Sequence, residues 1–303
     1  AASADTLATK DMPARMELHS IPTLWISDQQ FLTGDKNGRQ VTVTGELSIP
    51  PGSGKIPAVI LMHGSGGYWK RQLNSMGVAT FAIDGMTGRG LVGVGSNQAV
   101  LGRLNFIVDI YNSLAILAKH PRIDAERIVL MGFSRGGQAA LYASMERFHK
   151  MWNTSGAQFA AYIPFYPDCA TTYKDDTGLV AKPIRIFHGT PDDYNPVHTC
   201  KAFRERLVAA KVDITITEYP NAPHGFDSPL GFNPARPAAN DQSVRECTIR
   251  EGEGGVLMNA GTGQPFTYKD ECVKIGPFVG HDPEATMAVT KAVTEFLKAT
   301  FRL

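Results

Sequence analysis

Short runs of β-branched and apolar residues recur along this chain, separated by segments of helical periodicity, and that alternation leaves few folds open. Ile56 to Met62 (IPAVILM) is continuous and apolar, as a strand buried on both faces must be. Similar runs return at Val78 to Ile83, Arg127 to Met131, Phe159 to Phe165, Pro183 to Phe187 and Ile214 to Tyr219. Gln40 to Ile49 alternates instead, as an antiparallel strand with one wet face does. Between the runs, Leu104, Ile107, Val108, Tyr111, Leu114, Ile116 and Leu117 fall largely on one helical face, and Gln138 to Arg147 predicts a shorter helix. Asn195 followed by Pro196 reads as a cap and first turn, ahead of a stripe at Val197, Cys200, Phe203 and Leu207. Asp282-Pro283 opens the last helix the same way, with Val289, Val293, Phe296 and Leu297 inward. Strands alternating with helices predict an α/β fold: a mostly parallel central sheet with helices on both faces.

Composition narrows the partners. Thirty Lys plus Arg against 29 Asp plus Glu leave a net charge of +1, without the basic footprint that nucleic acid or an anionic membrane surface needs. Apolar residues make up 43% of the chain, ordinary for a protein with a core, and no apolar run approaches the roughly 18 residues of a membrane span. The chain begins AASADTLATK, the kind of end that signal-peptide cleavage leaves, so export to the periplasm or medium is the expectation. Ala1 to Pro13 is small and polar and predicts loose order.

The segment 227–280 breaks the alternation. It is rich in Gly, Pro and Asn, carries two of the four cysteines, and is long for a loop unless functional or stapled. It reads as an irregular excursion on one domain spanning 1–303, not as a second domain. Cysteines at 169, 200, 247 and 272 form no CxxC pair, which argues against a zinc ribbon. They are either buried thiols or two disulfides, and a Cys247–Cys272 bridge would close about 25 residues for roughly 3 kcal/mol.

The chemistry lies in Gly132-Phe133-Ser134-Arg135-Gly136, which follows one predicted strand and precedes a helix. G-x-S-x-G in that setting is a sharp turn that lifts the serine hydroxyl above the sheet edge, the nucleophile position of an α/β-hydrolase. Serine needs a base, and the base an orienting acid, in the chain order Ser, acid, His on loops after later strands. Asp192 and Asp193 follow the strand ending at Phe187, and His224 follows the strand ending at Tyr219. Asp192 is the expected acid, with Asp193 capping or bracing its loop. His63, His120, His149, His188, His198 and His281 all have structural explanations at strand ends, loops or helices.

An oxyanion hole requires two backbone donors. Arg135 N–H is one candidate. The other is Ser65 N–H, with Gly66 next in line, in the glycine-rich stretch His63-Gly64-Ser65-Gly66-Gly67. Tyr68, Trp69, Tyr194 and Phe226 are candidate pocket aromatics, equally readable as packing. Gly88-Arg89-Gly90-Leu91-Val92-Gly93 has dinucleotide-motif spacing, but its glycines lie beyond the strand's first turn and Asp109 falls within a helix. A loop near the site, with Arg89 toward an acidic substrate group, is the expectation there. No P-loop lysine or H-E-x-x-H occurs, and no cofactor is required for the chemistry expected.

The pieces HGSGG, GFSRGG, Phe165-Tyr166-Pro167-Asp168-Cys169, GTPDDYNPVHTC and HGF together resemble the dienelactone hydrolase family of α/β-hydrolases, from about Ile56 to Phe226 and more weakly through the last helix. The resemblance implies that the acid is the first Asp after G-x-x, Asp192, and that Cys169 pairs with Cys200, leaving Cys247 with Cys272. Dienelactone hydrolase itself uses a cysteine nucleophile, whereas position 134 is Ser, which points to an ordinary carboxylic ester or a lactone as the small-molecule substrate. A serine peptidase, an acyltransferase, or a non-catalytic binding protein on the same scaffold are the alternatives.

Overall fold

In a computed structural model that describes residues 12–63 and 66–303, the chain builds one eight-stranded sheet. Its members are β1 (Arg15–Trp25), β2 (Arg39–Ile49), β3 (Ile56–Met62), β4 (Ala79–Asp84), β5 (Ile123–Phe133), β6 (Ala161–Phe165), β8 (Ile184–Gly189) and β9 (Ile214–Tyr219), while β7 (Thr171–Thr172) lies outside it. The spatial order is β1-β2-β4-β3-β5-β6-β8-β9. β2 is antiparallel to β1 and β4, and every later pairing is parallel. The parallel strands therefore end on one edge, where open α/β sheets carry their sites. β3 and β5, in mid-sheet, are the apolar runs that need cover on both faces.

The helices are α1 (Asp28–Thr33), α2 (Gly66–Asn74), α3 (Asn105–Ala118), α4 (Arg135–Tyr142), α5 (Glu146–Trp152), α6 (Val197–Ala209) and α7 (Pro283–Phe301). Two apolar clusters result. One, around Ile60, Ile110 and Leu130, packs α3 on one face of the sheet. The other, around Val59, Trp69, Met131, Val289 and Val293, packs α2 and α7 on the opposite face.

Two local expectations are corrected, and one strand is added. The helix read over Gln138 to Arg147 is two, α4 and α5. At Ser144 and Met145 the chain leaves the helix to pair with a neighbouring segment: Val180 N–H donates to Ser144 O at 2.8 Å, and Glu146 N–H to Gly178 O at 2.9 Å. Asn195 does not cap α6, which starts at Val197 after Pro196; its side chain bonds Tyr166 O instead. Arg15–Trp25, unassigned from sequence, is the edge strand β1, its outward residues solvent-exposed and its pattern too weakly apolar to announce it. Most of Ala1 to Pro13 lies outside the described residues.

The excursion carries only short pairings: Arg236–Pro237 with Phe278–Val279, Gln242–Ser243 with Lys274–Ile275, and Ile249–Glu251 between Leu257–Asn259 and β7. Disulfides join Cys169 to Cys200 and Cys247 to Cys272. No helix among the described residues is long and apolar enough to cross a membrane.

Candidate active site

The turn after β5 is built around glycine. A Cβ on Gly132 would lie 2.0 Å from Gly136 O, and one on Gly136 only 1.9 Å from Met62 O, so neither position admits a side chain without moving backbone. Between them Ser134 takes φ 54° and ψ −117°, a region that costs a non-glycine residue about 1–3 kcal/mol. Its N–H donates to Phe165 O of β6 at 3.1 Å, which fixes the turn to the neighbouring strand. The hydroxyl stands above the sheet edge at the start of α4.

His224 meets it from the loop after β9. His224 Nε2 lies 2.8 Å from Ser134 Oγ, and Nδ1 lies 2.8 Å from Asp192 Oδ2. The carboxylate can only accept, so Nδ1 carries the proton and Nε2 presents its lone pair to the serine hydroxyl. Asp192 has a fully buried side chain, and its Oδ1 accepts the N–H groups of Tyr194 and Asn195, each at 2.9 Å. These hydrogen bonds orient the acid toward the imidazole. The rings of Tyr166 and Tyr194 pack on the imidazole, 4.7 and 4.6 Å between centroids.

The neighbours of this trio have other duties. Asp193 accepts Phe278 N–H at 2.8 Å and faces Arg245 at 3.0 Å, tying the acid's loop to the excursion. His188 lies 3.9 Å from Asp192, beyond hydrogen-bond range, and burial holds its pKa below the usual value. His63 accepts Gly85 N–H at 3.0 Å and stacks on Phe106; burial pushes its pKa down to about 4, so it is a neutral brace.

Arg135 is the first residue of α4, where a helix has no internal acceptor for its N–H groups. That amide and the positive end of the helix lie next to the hydroxyl. Ser65 lies outside the described residues.

The trio opens into a cleft of about 400 Å³, with Met86, Val94, Phe106 and Val279 among its apolar lining. Tyr194 lines it, and its hydroxyl donates to Asp241 at 3.1 Å. Arg135 also lines it, and its guanidinium donates to Leu101 O at 2.7 Å. Four other residues expected at the substrate or its pocket lie elsewhere, among them Phe226, which is fully buried in the apolar cluster under α7. Arg89 is fully buried in an ion pair with Asp109 at 2.7 Å and also donates to Leu24 O, so it anchors β1. Burial raises the pKa of Asp109, and Arg89 opposes that rise. Trp69 is fully buried, and the Tyr68 hydroxyl meets Thr290 at 2.7 Å on α7. In their place the cleft gains Arg103, paired with Asp168 and donating to Thr171 at 2.9 Å, and Gln138 one turn along α4 from Ser134. No local pattern marks these two; Asp168 alone lies in a motif that the sequence singles out.

Among the described residues, one group has metal-ligand composition: Glu17, His19 and His120, on β1 and after α3. Its geometry is a hydrogen-bonded clasp. His120 Nδ1 accepts Arg122 N–H at 3.1 Å, so Nε2 carries the proton and donates to Glu17 at 3.0 Å. A metal would need that same Nε2 lone pair.

A model of the dienelactone hydrolase family matches residues 95–248, just over half the chain. Among solved structures, a dienelactone hydrolase-like promiscuous phosphotriesterase from metagenomic libraries is similar with a TM-score of 0.58 at 18% identity, over 94% of this chain and 99% of its own. The carboxylesterase Cest-2923 of Lactobacillus plantarum is similar with a TM-score of 0.50 at 15% identity, over 70% of this chain and 85% of its own. At these identities the likeness is one of fold. No curated protein matches the sequence.

Proposed function

The chain belongs to the dienelactone hydrolase family and by that membership is a carboxylic ester hydrolase; we propose that it cleaves an ester or lactone through an acyl-enzyme formed on Ser134. One observation carries the reading. Two 2.8 Å contacts run in series from Ser134 Oγ through His224 to Asp192, at a serine whose unusual backbone the surrounding glycines permit.

The substrate carbonyl enters the cleft beside Ser134. His224 Nε2 takes the hydroxyl proton as Oγ attacks the carbonyl carbon, and the carbonyl π electrons move onto oxygen. Arg135 N–H meets that charge, with Ser65 N–H as the second donor. Asp192 keeps the imidazole in its working tautomer and stabilises the imidazolium. The imidazolium returns its proton to the alkoxide as the ester C–O bond breaks. Water then repeats the path, losing its proton to His224, and collapse of the second intermediate releases the acid and restores Ser134.

We read the whole chain as one domain whose excursion forms a wall of the cleft, and as an exported protein, in keeping with its two disulfides. The test of the chemistry is release of p-nitrophenol from short-chain p-nitrophenyl esters by the protein and by Ser134→Ala. Turnover that falls by orders of magnitude in the variant supports the reading. Equal rates in the two proteins overturn it, and a parent that neither turns over nor takes a covalent serine probe favours a binding protein.

A further inference from the structure

We propose that Asp227 is a positioning residue for this centre: a buried carboxylate that holds Tyr166 against His224 and ties α2 to the histidine loop. The inference rests on the serine-hydrolase reading above and deepens it.

Asp227 is fully buried, three residues beyond His224. Its Oδ1 accepts the Tyr166 hydroxyl and its Oδ2 the Trp69 indole N–H, each at 2.7 Å. Around them Phe165, Tyr166 and Phe226 pack ring on ring, with Trp69 against Phe165 at 5.4 Å and Tyr166 against Phe226 at 5.8 Å. A carboxylate among aromatic rings carries a desolvation cost that only well-placed donors offset. Both donors come from other segments. Trp69 belongs to α2, the helix whose first residue, Gly66, directly follows Ser65 in sequence. Tyr166 follows β6.

Tyr166 connects Asp227 to the chemistry. Its ring sits 4.7 Å from the His224 imidazole at 61°. Its carbonyl accepts Asn195 Nδ2 at 3.0 Å, and Asn195 N–H donates to Asp192 Oδ1 at 2.9 Å. Tyr166 therefore touches the base with its ring and steadies the acid's loop with its backbone. It does so at φ 34°, where a bulky residue persists only if its surroundings over-determine it. The hydroxyl bond to Asp227 is one such constraint. Weakening it lets the ring, and the imidazole it bounds, move relative to Ser134.

The experiment is steady-state hydrolysis of a p-nitrophenyl ester by Asp227→Asn, Tyr166→Phe and the double variant, with competent sites counted by a fluorophosphonate probe. Each single change is expected to lower kcat per labelled site by about tenfold or more with KM within about twofold, a small misplacement of a catalytic group being enough. The double variant is expected to fall no further than the worse single, because both changes break one link. Unchanged kcat per labelled site, or losses that multiply in the double variant, overturn the proposal and leave Asp227 a stability residue. If Asp227→Asn does not fold, Tyr166→Phe, which removes one oxygen, decides alone. A parent matched in rate by Ser134→Ala overturns the serine reading itself, and this proposal with it.

Discussion

Arg245 Nη1 lies 3.0 Å from Asp193 Oδ2, across 52 positions of chain, and so occupies the aspartate adjacent to the one that meets His224. Two neighbouring carboxylates are thereby given different work. Asp192 is buried and faces the imidazole, whereas Asp193 is partly exposed and faces the excursion.

That division is measurable. Asp192→Asn should lower kcat by about three to four orders of magnitude, the scale of losing a triad acid. Asp193→Asn should leave kcat within a few-fold and cost about 1 kcal/mol or less, as a half-exposed ion pair does. Kinetics and denaturant melts of the two variants check this, and reversed effects would exchange the roles.

Ser134 holds its backbone in a region that glycine enters freely. Ser134→Gly and Ser134→Ala should be equally inactive, but the glycine variant should be the more stable by about 1 kcal/mol. Equilibrium unfolding in urea compares them, and equal midpoints would mean that the turn stores no strain.

Burial lowers the pKa of His63 from 6.5 to about 4, and it lowers those of His149 and His188 as well. A base depressed by folding binds fewer protons folded than unfolded between those two values. Stability is therefore full above about pH 6.5 and declines as pH falls toward 4. His63 alone accounts for up to about 3 kcal/mol of that decline. Denaturant melts at pH 7.5 and 4.5 should differ by several kcal/mol, and His63→Gln should narrow the difference. A stability that is flat across this range would contradict neutral, buried histidines.

The Cys247–Cys272 disulfide closes a segment with a sequence separation of 25, in the excursion that also supplies Arg245 and Phe278 to Asp193. Cys247→Ser/Cys272→Ser should cost about 3 kcal/mol of stability. It should also lower kcat several-fold, by loosening the loop that carries Asp192. Thermal melts and p-nitrophenyl ester kinetics read the two effects separately, and unchanged kcat would show the acid's loop to be independent of the excursion.

Much of this protein is local, and what is local was legible. Continuous apolar runs such as Ile56 to Met62 mark strands covered on both faces because period and burial are written residue by residue. The elbow at Ser134 is equally local, since the glycines at 132 and 136 answer contacts made within a single turn and its neighbouring strand. The edge strand β1 escaped notice because half of it faces water, and the break between α4 and α5 because its cause is a pairing with residues 178–180.

Other features exist only in three dimensions. Arg89 reads as a loop cation near a substrate, yet the fold brings Asp109 to it and buries both. Asp227 reads as one more polar residue at the start of an irregular segment, yet Trp69 and Tyr166 converge on it. The cleft wall at Asp241, Val244 and Val279 comes from a segment without periodicity, placed by a disulfide and scattered hydrogen bonds. Amino-acid order determined most of the strands and helices, the turn and the order of serine, acid and histidine, because neighbours in sequence fix backbone shape. Only tertiary structure decided which charges are spent on each other and which side chains face the cleft, because those depend on partners far apart in the chain.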